Sequence, residues 1–180
     1  MSGVADALPR SNEDLDRLRG FSDCVFAVAI TLVVVSFVVP SKEPADTLLV
    51  EFLSREWPRY VSFIAGFVVI GYYWLSHHRT FQIVVRAEGG LQWRNLAMLF
   101  FVVLTPFTTE LLASYDQLPA AYLFFSANAA LIGVFNWVIL RHVVRRRLVP
   151  ATLAPAALRR YELRAALLPV VFGLAAAASM

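Results

Sequence analysis

Several runs of about 17 to 21 residues in this chain carry almost no charge, and this restricts its fold more than any other feature. A hydrocarbon layer roughly 30 Å thick is crossed by about 20 helical residues rising about 1.5 Å each. Within that layer every backbone N–H and C=O must find its partner inside the protein, so runs of this length read as transmembrane α-helices. The spans fall at about 20–39, 60–76, 96–112, 120–140 and 163–180. Composition agrees, because 59% of the 180 residues are hydrophobic and 16% charged, more apolar surface than a soluble core absorbs. The expected fold class is all-α, a polytopic membrane helix bundle with five visible spans.

Residues 1–16 are polar, include Pro9, and are expected to form a mobile tail ahead of a transmembrane domain over 17–180. No cleaved secretory signal is expected, since some twenty polar residues precede the first run and no Ala-x-Ala site follows it. Pro40 ends the first span; Trp57, Pro58 and Tyr60 read as an interfacial entry to the second, which His77, His78 and Arg79 close. Pro106 predicts a kink in the third span, which a membrane helix tolerates when neighbours satisfy the freed carbonyl. The fifth run reaches Met180 with no polar flank, so it ends near the opposite interface or a further segment completes it.

If all the runs cross, thirteen of the sixteen Lys and Arg residues share a side with the amino terminus, and only Lys42, Arg55 and Arg59 lie opposite. The positive-inside rule then places the amino terminus in the cytoplasm, and it accounts for the arginines after the fourth span without a dedicated ligand. Arginine outnumbers lysine fifteen to one, as in proteins from GC-rich bacterial genomes, so the membrane is expected to be a bacterial plasma membrane. The formal charge of +3 does not imply nucleic acid, for there is no isolated basic domain with interleaved aromatics. Cys24 is the single cysteine, which excludes a disulfide framework, and it reads as a small buried hydrophobe.

Ionisable groups at membrane depth are costly and therefore informative. Asp23 lies one turn inside the first span, behind Arg17 and Arg19, and His77, His78 and Arg79 end the second span on the same side. Two readings stay open: a polar clasp of Arg17, Ser22, Asp23 and His77, with Asp23 accepting bonds from Arg and His, or a helix cap beside ordinary interface residues. Glu110, at the outer end of the third span, reads as a headgroup-level residue or as an outer mouth. Val28, Leu32 and Val35 fall at i, i+4 and i+7, with Thr31 beside them, a stripe that periodicity alone assigns to lipid or packing rather than to function. Ser126, Ala129, Ala130 and Gly133 allow close packing of the fourth span, with Asn128 and Asn136 available for bonds between helices. Neither the i, i+4 histidine pair of zinc proteases nor a Gly-x-Ser-x-Gly elbow is present, so no enzyme is expected, and no cofactor or metal.

The run Arg17-Leu18-Arg19-Gly20-Phe21-Ser22-Asp23, leading directly into an apolar helix, resembles the Arg-x-x-x-Phe-Ser-Asp signature of the transmembrane protein 175 family. The likeness extends to Trp74, His77, His78, Arg79 and Phe81, and to Asn95, Pro106 and Phe107. It implies six spans, of which five are visible here, and a homotetramer in which four first helices surround the pore. It also implies a potassium-selective channel with no Thr-Val-Gly-Tyr-Gly filter, in which bulky apolar side chains form the constriction. By the same resemblance the pore-lining and gating places fall on Val28, Thr31, Leu32 and Val35, and the polar clasp on Arg17, Asp23 and His77. The expected partners are further copies of the chain, the lipid bilayer and permeant monovalent cations, K+ first. The alternatives are a proton-conducting channel and a proton-coupled secondary transporter, although the inverted repeats and broken helices of transporters are not evident.

Overall fold

The computed structural model describes residues 7–35, 51, 54, 56–150, 161 and 169–177, with side chains in the first helix from Glu13 onward. Four long helices dominate: α1 over Ala7–Val35, α2 over Trp57–Gln82, α3 over Gly89–Ser114 and α4 over Pro119–Arg145. A fifth helical stretch, α5, covers residues 169–177. All four long helices are long and apolar enough to cross a bilayer, the first of them over Glu13–Val35. No strand occurs among the described residues. Positions 36–39 of the expected first span, and 163–168 and 178–180 of the fifth, lie outside the described residues.

All four long helices run past their expected bounds, and the extensions of α1 and α2 bear on the site. Helix α1 begins at Ala7, within the segment expected to be a tail. The reason is local: Glu13 pairs with Arg17 at i, i+4 and Asp16 with Arg19 at i, i+3, while Leu15 is buried on the inner face. Helix α2 continues past His77 to Gln82. Its 26 residues span about 39 Å, so its final turn stands at the membrane boundary.

Lipid tails are as apolar as leucine, so helices in a bilayer associate through close packing and hydrogen bonds between them. Both are visible. Gly66 of α2 sits where a Cβ would fall 2.5 Å from the Thr109 hydroxyl of α3 and 3.2 Å from Val33 of α1, so three helices converge on its missing side chain. Gly133 of α4 admits Pro169 and the Tyr73 hydroxyl, which donates to the Ala129 carbonyl at 2.8 Å. Asn128 donates to the Phe101 carbonyl and the Thr105 hydroxyl, both at 3.1 Å, and Asn136 donates to the Ser76 hydroxyl at 2.8 Å. The small and amide residues of α4 thus have the packing and bonding roles their types predict. Helix α3 runs through Pro106 as one element, with the Thr105, Thr108 and Thr109 hydroxyls bonded to carbonyls at 101 and 105.

Helix α4 ends in a Schellman arrangement: Arg147 adopts φ 54, its N–H bonds the Val144 carbonyl, and the Leu148 N–H bonds the Val143 carbonyl. Leu148 is fully buried, and its carbonyl accepts the Val85 N–H at 2.9 Å, tying the end of α4 to the α2–α3 connection.

Because threonine in a helix has little freedom to retreat, Gly66→Ala is expected to destabilise the bundle by about 1 to 3 kcal/mol. A thermal melt of the purified protein in detergent checks this, and an unchanged midpoint would show that Thr109 and Val33 give way freely.

Candidate functional site

The two faces of α1 have opposite fates. Leu15, Ser22, Phe26, Ala29 and Val33 are buried, at spacings of seven, four, three and four that form an inward seam of heptad type. The far side is bare: Val28 is 56% exposed, Leu32 43% and Val35 65%, and Thr31 is exposed beside them. The four residues of the expected pore stripe therefore share one uncovered face. Cys24, read from sequence as buried, is exposed, because it stands four residues before Val28 on that same face. Thr31 donates its hydroxyl proton back to the Ala27 and Val28 carbonyls at 3.1 and 2.8 Å, which leaves lone pairs of the hydroxyl oxygen turned outward.

The inward seam is held at one end of the bundle by a directed chain of hydrogen bonds. Ser22 donates to the Leu18 carbonyl at 2.7 Å, so its oxygen accepts from Asn95 Nδ2 at 2.8 Å. That orientation turns Asn95 Oδ1 toward His77 Nε2, 2.8 Å away, and requires the proton on that ring nitrogen. Ser22 and Asn95 are fully buried and His77 nearly so. The imidazole is further enclosed between Phe81, stacked at 4.2 Å, and Phe26, at 5.5 Å. One side chain from each of α1, α2 and α3 thus enters a single dry network.

Of the expected clasp, Ser22 and His77 occupy this network, joined through Asn95 rather than directly. Asp23 lies beside it and accepts from the Trp74 indole at 2.9 Å, where an Arg or His donor was expected. Arg17 lies elsewhere: it points to the open side of α1 and pairs with Glu13 at 3.0 Å. Arg19 meets α2 instead, donating to the Phe81 and Val84 carbonyls at 2.6 and 3.2 Å and so capping the helix carboxyl end with a cation. Helical periodicity distinguishes the two arginines, since Arg19 precedes Ser22 by three residues and shares its face, whereas Arg17 precedes Cys24 by seven and shares the other. Asn95 carries a signal too, as an amide at the start of an apolar run.

Glu110 follows Thr109 and therefore stands near the depth of Val33 and Gly66, toward the other end of the bundle. One of its carboxylate oxygens accepts from Ser114 at 2.8 Å; the other is buried without a partner among the described residues.

A bundle of long apolar helices with a polar network at one end and an apolar helix face left uncovered defines a multi-pass membrane protein. The family of the endosomal/lysosomal potassium channel TMEM175 matches residues 17–106, half of the chain, and the chain belongs to that family, one of ion channels rather than of enzymes. A potassium channel of Chamaesiphon minutus is 39% identical over 125 residues, covering 67% of this chain and 62% of its own. The chain spans between 48% and 62% of the length of the bacterial relatives it matches. The crystal structure of a lysosomal potassium-selective channel TMEM175 homolog from Chamaesiphon minutus superposes with a TM-score of 0.74 at 31% identity, over 91% of this chain and 87% of that one. More distantly, a Gallus gallus protein named an endosomal/lysosomal proton channel is 24% identical over 132 residues, covering 73% of this chain and 26% of its own.

Asn95→Ala would leave the buried His77 Nε2–H without an acceptor, while Ser22 keeps its bond to Leu18, and is expected to lower stability by about 1 to 3 kcal/mol. Trp74→Phe removes only the half-exposed donor to Asp23 and is expected to cost less. Melting curves of the two variants, compared in the same detergent, test the order; a larger loss for Trp74→Phe would move the anchor of α1 to Asp23.

Proposed function

We propose that this chain is one subunit of a homotetrameric, potassium-selective cation channel of a bacterial plasma membrane, with its amino terminus in the cytoplasm. The observation that carries the reading is the division of α1 into a seam bonded to its own subunit and an uncovered stripe of Val28, Thr31, Leu32 and Val35. One helix cannot enclose a pore, whereas four copies arranged around an axis can turn this stripe inward. The potassium channels among the relatives support the ion, and the arginine asymmetry supports the orientation.

In such a pore, rings of Val28, Leu32 and Val35 form a narrow apolar passage that excludes water and with it the hydrated ion, so conduction follows wetting. Thr31 supplies the one hydroxyl on the stripe. Its proton is committed to backbone carbonyls, so four Thr31 oxygens present acceptors that replace part of a cation's hydration shell. The network of Ser22, Asn95 and His77, with Arg19 and Asp23 beside it, fixes the rotation of α1 and thereby which side chains face the axis. Glu110 contributes negative charge near the outer end. A proton-conducting variant of the same architecture is favoured by one observation, the proton-channel name of the animal relative.

Purified protein in liposomes is expected to pass K+ down its gradient faster than Na+, without saturation or counterflow, at a mass four times the 20.1 kDa of the chain. No flux in either salt or under a proton gradient, from tetrameric protein, overturns the channel reading. Leu32→Asn or Val28→Asn is expected to raise conductance severalfold or weaken ion choice by wetting the passage, and unchanged currents in both move the gate elsewhere. Cys24 offers a test in the unmutated chain: a cationic methanethiosulfonate reagent is expected to reduce the current, and full labelling without any change would place the stripe outside the pore.

A further inference from the structure

At the end of the bundle that carries the α4 carboxyl terminus, α3 and α4 enclose an open cavity of about 570 Å³. Four of its lining residues are arginines, Arg94 from α3, Arg141 and Arg145 from α4 and Arg146 at the α4 carboxyl cap, and Trp137 and Val138 line it one turn deeper. The orientation rule explains why arginines stand on this side of the membrane; it does not explain why four converge on one concavity. The nearby carboxylate, Glu88, is already engaged by His142 and stands 4.0 Å from Arg146. Arg94, Arg141 and Arg145 form no ion pair with a described residue; Arg94 donates to the Gly90 carbonyl at 2.6 Å, and Arg141 lies 4.7 Å over the Trp137 ring. The cavity therefore holds an excess of guanidinium donors, two of them held in place by the Gly90 carbonyl and the Trp137 ring.

The approach to this cavity has the shape of an amphiphile. Leu131, Val134, Val138, Arg141 and Arg145 succeed one another at spacings of three, four, three and four, which is one stripe along α4. Leu131 and Val134 are exposed along the apolar part, and Arg141 and Arg145 are exposed at its head. A dissolved anion has no use for the apolar part of the stripe. A lipid has, because its acyl chain lies along Leu131, Val134 and Val138 while its phosphate reaches the arginine forks. Trp137 belongs at the level between the two.

We propose that the α3–α4 cavity is a binding site for the phosphate headgroup of an anionic phospholipid, with Arg94, Arg141 and Arg145 as its ligands and the exposed α4 stripe as the seat of its acyl chain. Each arginine at a membrane surface contributes about fivefold to the binding of an anionic lipid.

The test uses native mass spectrometry of the full chain in detergent, with dioleoyl phosphatidylglycerol as the probe and phosphatidylcholine as the neutral comparison. The wild type is expected to retain phosphatidylglycerol in preference, and R141Q/R145Q to lose it about 25-fold. The control R79Q/R86Q removes the same number of exposed charges from the same end of the bundle and is expected to bind as the wild type does. Arg145→Gln alone, which breaks no hydrogen bond of the fold, is expected to lose about fivefold and keeps the test decisive if the double variant does not assemble. Equal loss in R79Q/R86Q would overturn the site in favour of general surface charge. Equal retention of the two lipids would overturn it as well. Displacement of the lipid by an equal concentration of inorganic phosphate would replace the lipid with a soluble phosphate anion.

Discussion

Helices already surrounded by hydrocarbon gain nothing by hiding apolar side chains from one another, so the position of α1 depends on a few polar contacts made where water is absent. The chain from His77 through Asn95 and Ser22 to the Leu18 carbonyl is the central one. Its direction is fixed at every link, because each hydrogen has one acceptor and each acceptor one orientation. Rotating α1 by one residue would move Ser22 away from Asn95 and leave the buried Asn95 amide N–H without its acceptor. Bonds between membrane helices contribute about 0.6 kcal/mol each on average, so the four that reach α1 from Asn95, Trp74, Phe81 and Val84 set its rotation more than they stabilise it.

Close packing completes what the polar chain begins. Near the other end of the bundle Gly66 lets α2 approach both Thr109 and Val33, so α1 is gripped at two depths about three helical turns apart, by bonds at Ser22 and by contact at Val33. Between these points Phe26 and Ala29 fill the same seam. A helix held at two heights has one rotation and one tilt available to it, and the exposure of Val28, Thr31, Leu32 and Val35 follows from that.

Much of this was legible in the sequence. The long apolar runs predicted four of the helices, and the amides and small residues of α4 predicted its packing. The Phe-Ser-Asp motif falls at the end of α1 where the buried bonds lie, and Val28, Thr31, Leu32 and Val35 share one face. The contacts within the motif were harder to read. Arg17 is the motif's most conspicuous charge, yet it faces away, and Arg19 reaches α2 because it lies on the face of Ser22. Asn95 was visible as a residue but its role was not, since a hub between three helices depends on how deep each helix sits, and hydropathy fixes depth only to within a turn. Cys24 misled because residue type suggested burial, whereas its position on the bare face decided the matter.

The two seams of α1 have a consequence for how such a scaffold diverges. Residues that determine how the subunit folds and residues that meet its surroundings occupy the same helix but no common positions, so substitutions on one face scarcely trade against the other. A lineage can exchange the side chains at 24, 28, 31, 32 and 35 while the register set by Ser22, Phe26 and Val33 stays fixed. Relatives named for different permeant ions are what a frame with such separable duties would be expected to yield.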